Sequence, residues 1–511
     1  MAFQSILFAE HEDRIKAETS EVPAFFIDLN LDQTINALTT GKEEYNLKPF
    51  FYTCLSDIGA IEYRHEIMRD LENTILFDYV LSFAQKMRAM REHFVRADKL
   101  RNKYQKQRWL LDAVEIYCDA VFCFAHDLIL AELKSSGFLA FREYLTSYAE
   151  SHRFAALMAE TKKLKEDLSA IKYCVHIKSN GFNVRNYDSE IDYSADVEDT
   201  FEKFKQGAVK DYVVKFVDWP DMNQVEERIL EFVAQLYPDI FSNLDTYCDK
   251  NRNCMDETIV VFDREVHFYI AYLEFISILK QAGLKFCYPK ISETNKGVYD
   301  YEGFDLALAH KLVAEDSSVV CNDFYLKGNE RIFVVSGPNQ GGKTTFARAF
   351  GQVHFLANIG CPVPGREARL FLFDRLFTHF EKEEHIETLR GKLENDLVRI
   401  HHVLSHATPR SIIIMNEIFT STTLKDAIFL SKQILERIMH LDLLCVCVTF
   451  IDELASLSEK TISMVAGVAP ENPAVRTYKV YRKPADGLAY AKSVAEKYRV
   501  TYDYLKERIK S

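Results

Sequence analysis

Gly337-Pro338-Asn339-Gln340-Gly341-Gly342-Lys343-Thr344 has the spacing Gly-x-x-x-x-Gly-Lys-Thr, and Thr345 follows it. Glycines allow the backbone to turn tightly, so that successive N–H groups face a single anion. A lysine beside the last glycine adds a mobile positive charge, and the next hydroxyl is a ligand suited to a hard divalent cation. Together these groups cradle the phosphates of a nucleoside triphosphate. ATP with Mg²⁺ is the expected pair, with Lys343 reaching the β- and γ-phosphates and Thr344 ligating Mg²⁺.

Such a loop works only between a strand and a helix. Ile332–Val335 reads as a buried strand entering it, and FARAFGQVHFLA as a helix leaving it, whose positive end points at the same anion. A Gly-rich turn without a ligand is the alternative, and both flanks argue against it. Hydrolysis further requires an acidic strand end beside the metal and a group that orients the attacking water. Ser411-Ile412-Ile413-Ile414-Met415-Asn416-Glu417 is an apolar strand ending in Asn-Glu. Asn416 offers an oxygen to the metal or its water but no charge, and Glu417 is the candidate general base. LLCVCVTF, from Leu443 to Phe450, reads as a third buried strand. Helical segments between these strands imply a mostly parallel sheet wrapped by helices.

The chain of 511 residues is long enough for several domains, and 48% hydrophobic content is ordinary for a protein with large cores. Its net charge of −13 opposes nucleic acid unless cations are concentrated locally. The eleven cysteines show no Cys-x-x-Cys or zinc spacing, which fits reduced thiols in a cytoplasmic protein. The start, MAFQSILFAEHEDRIK, is not a secretory signal, and no apolar run reaches the roughly 18 residues of a membrane span. Between Leu71 and Leu168 there is no proline and a single glycine, Gly137. Leu110, Ala113, Val114, Tyr117 and Val121 recur at helical spacing. IKYCVHIKSNGFNVRNY then alternates around Asn180-Gly181, a hairpin signal, and is followed by seven carboxylates without a cation between Asp188 and Glu202. The expected fold is multidomain, mainly α-helical with a β-rich insert, followed by an α/β P-loop domain. The segments are 1–170 (helical), 171–220 (β-rich), 221–284 (helical) and 285–511 (nucleotide-binding).

GPNQGGKTT resembles the Gly-Pro-Asn-Met-Gly-Gly-Lys-Ser-Thr loop of the MutS family of DNA mismatch repair ATPases. The similarity continues through IGCPVP, from Ile359, and DRLFT, from Asp374. It runs on through VLSHAT, from Val403, the Asn416-Glu417 strand and TFIDEL, from Thr449, to Gly487–Ala491. Upstream, FFYTCLSDIGAIEYRHEIMRDL resembles the start of the family's helical core. The resemblance implies a helical core and lever, a β-rich clamp at the insert, and an ATPase domain with a C-terminal dimerisation segment. It also implies a homodimer with two composite nucleotide sites. Core-like sequence begins by about Phe25, so the family's mismatch-reading domain is not expected.

Three departures from the family pattern concern the chemistry. Asn416 stands where the family has aspartate, and Phe450 where it has histidine. Gly391-Lys392-Leu393 replaces the Ser-Thr-Phe that faces the partner's nucleotide, and Lys392 is a candidate charge at the neighbouring γ-phosphate. These changes bear on turnover more than on binding. Lys86 to Arg108 is the clearest basic segment, readable as a solvated helix face or as a phosphate-contacting surface. The expected activity is therefore an ATP-binding and ATP-hydrolysing, DNA-associated protein that acts on DNA structure, with weak, salt-sensitive DNA contact. The alternative is a nucleotide-gated interaction protein with weakened ATPase and no DNA binding. A P-loop small-molecule kinase fits the loop alone.

Overall fold

Helices dominate the first half because its apolar residues recur every three to four positions without a backbone breaker. In the computed structural model, which describes residues 3–9, 11–178, 181–189, 222–381, 391–469, 471–485, 501–502 and 506, they belong to two compact units. One unit is formed by Glu72–Leu133 and Phe138–Asp263, the other by Gln4–Leu71 and the chain from Arg264 onward.

In the first unit, Asn73 accepts a hydrogen bond from Ile75 N, and Asn102 from Tyr104 N and Gln105 N. Each asparagine thereby satisfies amides that a helix start leaves open. The helices that follow, Thr74–Lys99 and Lys103–Leu130, pack along one another. Ala113, Val114, Tyr117 and Val121 are buried as their spacing predicts, whereas Leu110 is half-buried beside the buried Leu111. Phe83, Phe124, Phe141 and Phe262 make the aromatic centre, with Phe141 and Phe262 stacked at 3.6 Å.

The basic segment lies on these two helices and is largely matched from within. Lys86 pairs with Asp119 at 2.6 Å, Arg88 with Glu92 at 3.4 Å, Lys103 with Asp245 at 2.6 Å and Arg108 with Asp112 at 3.2 Å. Arg91 pairs with the buried Asp263, and Arg96 lies over the Trp109 ring. Tyr173–Lys178 and Gly181–Asn186 form the expected antiparallel hairpin, with Val175 opposite Val184 and Ile177 opposite Phe182. Phe182 meets Phe232 of the helix Gln224–Leu236 at 6.1 Å. Asn180 of the turn, the acidic stretch beyond Ser189 and Gly487–Ala491 lie outside the described residues.

The second unit carries a six-stranded sheet in the order Leu376–His379, Ile412–Asn416, Leu444–Val448, Ile332–Ser336, Thr461–Ala469, Asn472–Arg482. The first five strands are parallel and the last is antiparallel. Leu444–Val448 and Ile332–Ser336 are buried at every position, which is why they read as unbroken apolar runs. Helices cover both faces. Phe346 and Phe350 of the helix Lys343–Asn358 pack against Phe333, while Leu435 and Ile438 of Leu424–Leu441 join Ile413, Met415, Cys445 and Cys447. Three of the six strands match the apolar runs singled out in the sequence; the edge strands are shorter or mixed in polarity. All eleven cysteines are free, and among the described residues no helix is long and apolar enough to cross a membrane.

Arg64 ties the early part of this unit to the helix Lys343–Asn358. Its guanidinium is fully buried between the rings of Phe8 and Phe268, at 5.1 and 5.0 Å. Nε donates to the Leu7 carbonyl at 3.0 Å and Nη1 to the Ile359 carbonyl at 2.8 Å, at the end of the helix Lys343–Asn358. A methionine fills similar space but leaves both carbonyls without these donors, at roughly 1–3 kcal/mol each. Arg64→Met is expected to lower unfolding stability by about 2–6 kcal/mol, read from the urea midpoint. An unchanged midpoint would show that the two carbonyls find other partners.

Candidate functional site

The Gly-rich loop leaves the carboxyl end of Ile332–Ser336, a central strand; its neighbour Leu444–Val448 and the next strand out, Ile412–Asn416, end on the same side. Gly337 and Gly342 have φ of 119° and 95°, values for which glycine carries no Cβ penalty. Gln340 takes φ 58°, so the tight turn also bends a residue that has a side chain. Asn339 and Gln340 are exposed at the tip, Pro338 and Gly341 are buried, and Thr345 is half-buried in the first helical turn.

Lys343 is only 4% exposed. Its ammonium donates to the carbonyls of Gly337 and Pro338, both at 3.1 Å, and stands 3.9 Å from Glu417 Oε1. The Phe450 ring, half-exposed, covers it at 4.3 Å. Burial holds the Lys343 pKa below the usual lysine value; Glu417 opposes that shift and Arg476 adds to it. Glu417 is displaced the other way. Burial raises its carboxyl above the ordinary glutamate value, against the pull of Lys343, and Glu381 raises it further.

Glu417 reaches this position through its backbone. Its N–H donates to the Val448 carbonyl at 2.9 Å, and φ of 55° turns the chain sharply after the strand. Asn416, the last strand residue, accepts a hydrogen bond from Thr344 Oγ1 at 2.9 Å. Lys343, Thr344, Asn416 and Glu417, separated by more than 70 positions in sequence, therefore share one side of the loop. Lys392 is paired with Glu381 of its own chain, which also accepts from Thr420 Oγ1 at 3.4 Å.

Two neighbours of the loop are invisible to motif reasoning. Ala466, on the adjacent strand, is so close that a Cβ added to Gly337 or Gly341 would stand 3.0 Å from its methyl. Arg476, on the last strand, donates from Nε to the Asn339 carbonyl at 3.1 Å. Neither belongs to a local pattern, because both arrive by strand pairing.

A parallel sheet with a Gly-rich loop at a central strand, a hydroxyl against a second strand end and a carboxylate beside the lysine is the arrangement expected of a P-loop nucleotide-binding domain. Residues 333–499 match the family model described as MutS domain V. This part of the chain is therefore similar to the domain V of MutS proteins. The DNA mismatch repair protein MutS of Orientia tsutsugamushi (strain Boryong) is 31% identical over 161 residues, 31% of this chain and 18% of that protein. MutS of Syntrophobacter fumaroxidans is 26% identical over 218 residues, 42% of this chain and 23% of the relative. The DNA mismatch repair protein MSH3 of Kluyveromyces lactis is 27% identical over 152 residues, 30% of this chain and 15% of the relative. The chain thus spans between 15% and 23% of the length of these relatives.

The Ala466 contact yields a test that leaves the motif untouched. Valine there adds two methyl groups against Gly337 and Gly341, an overpacking of about 1–3 kcal/mol. Ala466→Val is expected to weaken ATP binding about tenfold by calorimetry if that strain is relieved by moving the loop. A loss of about twofold or less would mean that the adjacent strand yields instead.

Proposed function

We propose that the chain is a MutS-like, ATP-binding and ATP-hydrolysing protein that acts on DNA structure, working as a homodimer in the cytoplasm. The observation that carries this reading is the convergence of Lys343, Thr344, Asn416 and Glu417 on one side of the Gly-rich loop.

Each group has a distinct task in the proposed mechanism. The backbone from Gly337 to Thr345 and the start of its helix hold the phosphates, and Lys343 turns from the loop carbonyls towards the β- and γ-phosphate oxygens. Thr344 and Asn416 present two neutral oxygens, a set that fits Mg²⁺, which keeps several waters and takes phosphate oxygens as further ligands. Mg²⁺ held there would supply charge neutralisation for the phosphates. Glu417 takes the proton of the attacking water, and its raised pKa brings it nearer the working pH of a general base. Asn416 contributes orientation without charge, so slow turnover accompanies firm binding. By the same family resemblance, 171–220 stands at the clamp position, and 1–170 with 221–284 at the core and lever.

A second reading, a nucleotide-gated interaction protein without DNA binding, is favoured by the internal pairing of Lys86, Arg88, Arg91, Lys103 and Arg108. The deciding measurement is ATPase rate with and without duplex, mismatched and branched DNA at two salt concentrations. Stimulation by DNA that weakens with salt supports the first reading, and indifference to every DNA supports the second.

Catalysis is tested separately. Glu417→Gln is expected to cut turnover by about 10²–10⁴-fold while ATP binding persists. A base must be deprotonated, so wild-type turnover should fall as pH drops through a pKa above the ordinary glutamate value. That limb should be missing from the residual activity of the variant; equal rates for both proteins would remove Glu417 from the mechanism. Asn416→Asp, which adds the missing charge, is expected to lower the Mg²⁺ concentration needed for half-maximal turnover.

A further inference from the structure

The last strand of the six-stranded sheet brings a second cation to the phosphate loop. Asn472–Arg482 pairs with Thr461–Ala469 so that Val468 faces Arg476 and Ala466 faces Val480. Between those pairs one residue, Gly467, opposes Thr477, Tyr478 and Lys479, so the strand bulges beside the loop. Bulges re-aim side chains and recur next to active sites. This one is pinned from the other side: Asn322 donates from Nδ2 to the Tyr478 carbonyl at 3.1 Å and accepts from Val480 N at 2.7 Å, and Lys479 donates to the Cys321 carbonyl. Tyr478 takes φ 57°, a left-handed turn within the bulge.

Arg476 enters this bulge half-buried, with Nε donating at 3.1 Å to the carbonyl of Asn339 at the loop tip. Lys343 occupies the inside of the same loop, on the carbonyls of Gly337 and Pro338. Two cations on one small turn repel each other, and Arg476 is among the charges that hold the Lys343 pKa down. Glu417 stands 3.9 Å from the Lys343 ammonium, so the turn carries two cations beside one carboxylate and favours a more highly charged anion.

We propose that Arg476 is a phosphate-contacting residue of the nucleotide site, engaging the terminal phosphate of a nucleoside triphosphate from the side of the loop opposite Asn416. The guanidinium hydrogen-bonds bidentately to phosphate oxygens and needs no metal to do so. Arg476 thereby distinguishes triphosphate from diphosphate. This rests on the nucleotide-site reading above.

The test compares wild type, Arg476→Gln and Arg476→Lys by calorimetry with Mg²⁺, using ADP and the β,γ-imido analogue of ATP. Arg476→Gln is expected to weaken the analogue about tenfold or more and ADP about threefold or less, the loss of one charge-assisted hydrogen bond confined to one ligand. Arg476→Lys should fall between, because a lysine keeps the charge and loses the fork. Thermal melting without nucleotide reports whether either variant has lost its fold; if the glutamine form has, the analogue-to-ADP ratio of the lysine form decides. Equal weakening of both ligands, or of neither, overturns the proposal while wild-type binding leaves the site reading standing. Wild type that binds neither nucleotide overturns both.

Discussion

The site is organised around a buried ammonium. Lys343 is shielded from water at 4% exposure, and a charge in that position is costly unless its donors are satisfied. The carbonyls of Gly337 and Pro338 accept from it, Glu417 lies at 3.9 Å, and the Phe450 ring caps it with π-density. Each partner interacts more weakly than a phosphate would, which leaves the lysine able to exchange them for a stronger anion. The opposed shifts of Lys343 and Glu417 are two consequences of one burial.

That arrangement depends on strand order more than on the loop. Ile412–Asn416 is separated from Ile332–Ser336 by Leu444–Val448, so Asn416 and Phe450 approach the loop from strands at two distances. The parallel strands are buried on both faces, and a shift by one residue would turn buried residues toward the opposite face. Thr344 to Asn416, at 2.9 Å, records this register at the site. On the other side, the strand carrying Ala466 lies against Gly337 and Gly341 so closely that a side chain at either position would collide with it. Glycine is therefore required at both positions by a neighbour, and at Gly337 by backbone angle as well.

Asn416 at a strand end gives the hydrogen bond from Thr344 an acceptor that carries no charge. An amide oxygen accepts the hydroxyl as a carboxylate would, so the geometry persists without the charge. Binding geometry and electrostatic stabilisation of the transition state are separable in this way, since the first requires acceptors in place and the second requires field. Phe450 likewise brings to Lys343 a ring face that carries neither charge nor a titratable proton.

The turn of the Gly-rich loop was legible from the residues because it is local: eight consecutive residues set it, and the strand and helix beside them follow from apolar spacing. The helices of the first half were legible for the same reason, down to Ala113, Val114, Tyr117 and Val121 on the buried side. Ala466, Arg476 and Arg64 could not be read, because each acts on residues far away in the chain through pairing or packing. The run of cations from Lys86 to Arg108 shows the same limit in charge. Its acidic partners include Asp119, Asp245 and Asp263, outside the run, and only the folded chain brings them within ion-pair distance. Local backbone chemistry decides where a phosphate can sit; long-range register and burial decide which other charges surround it.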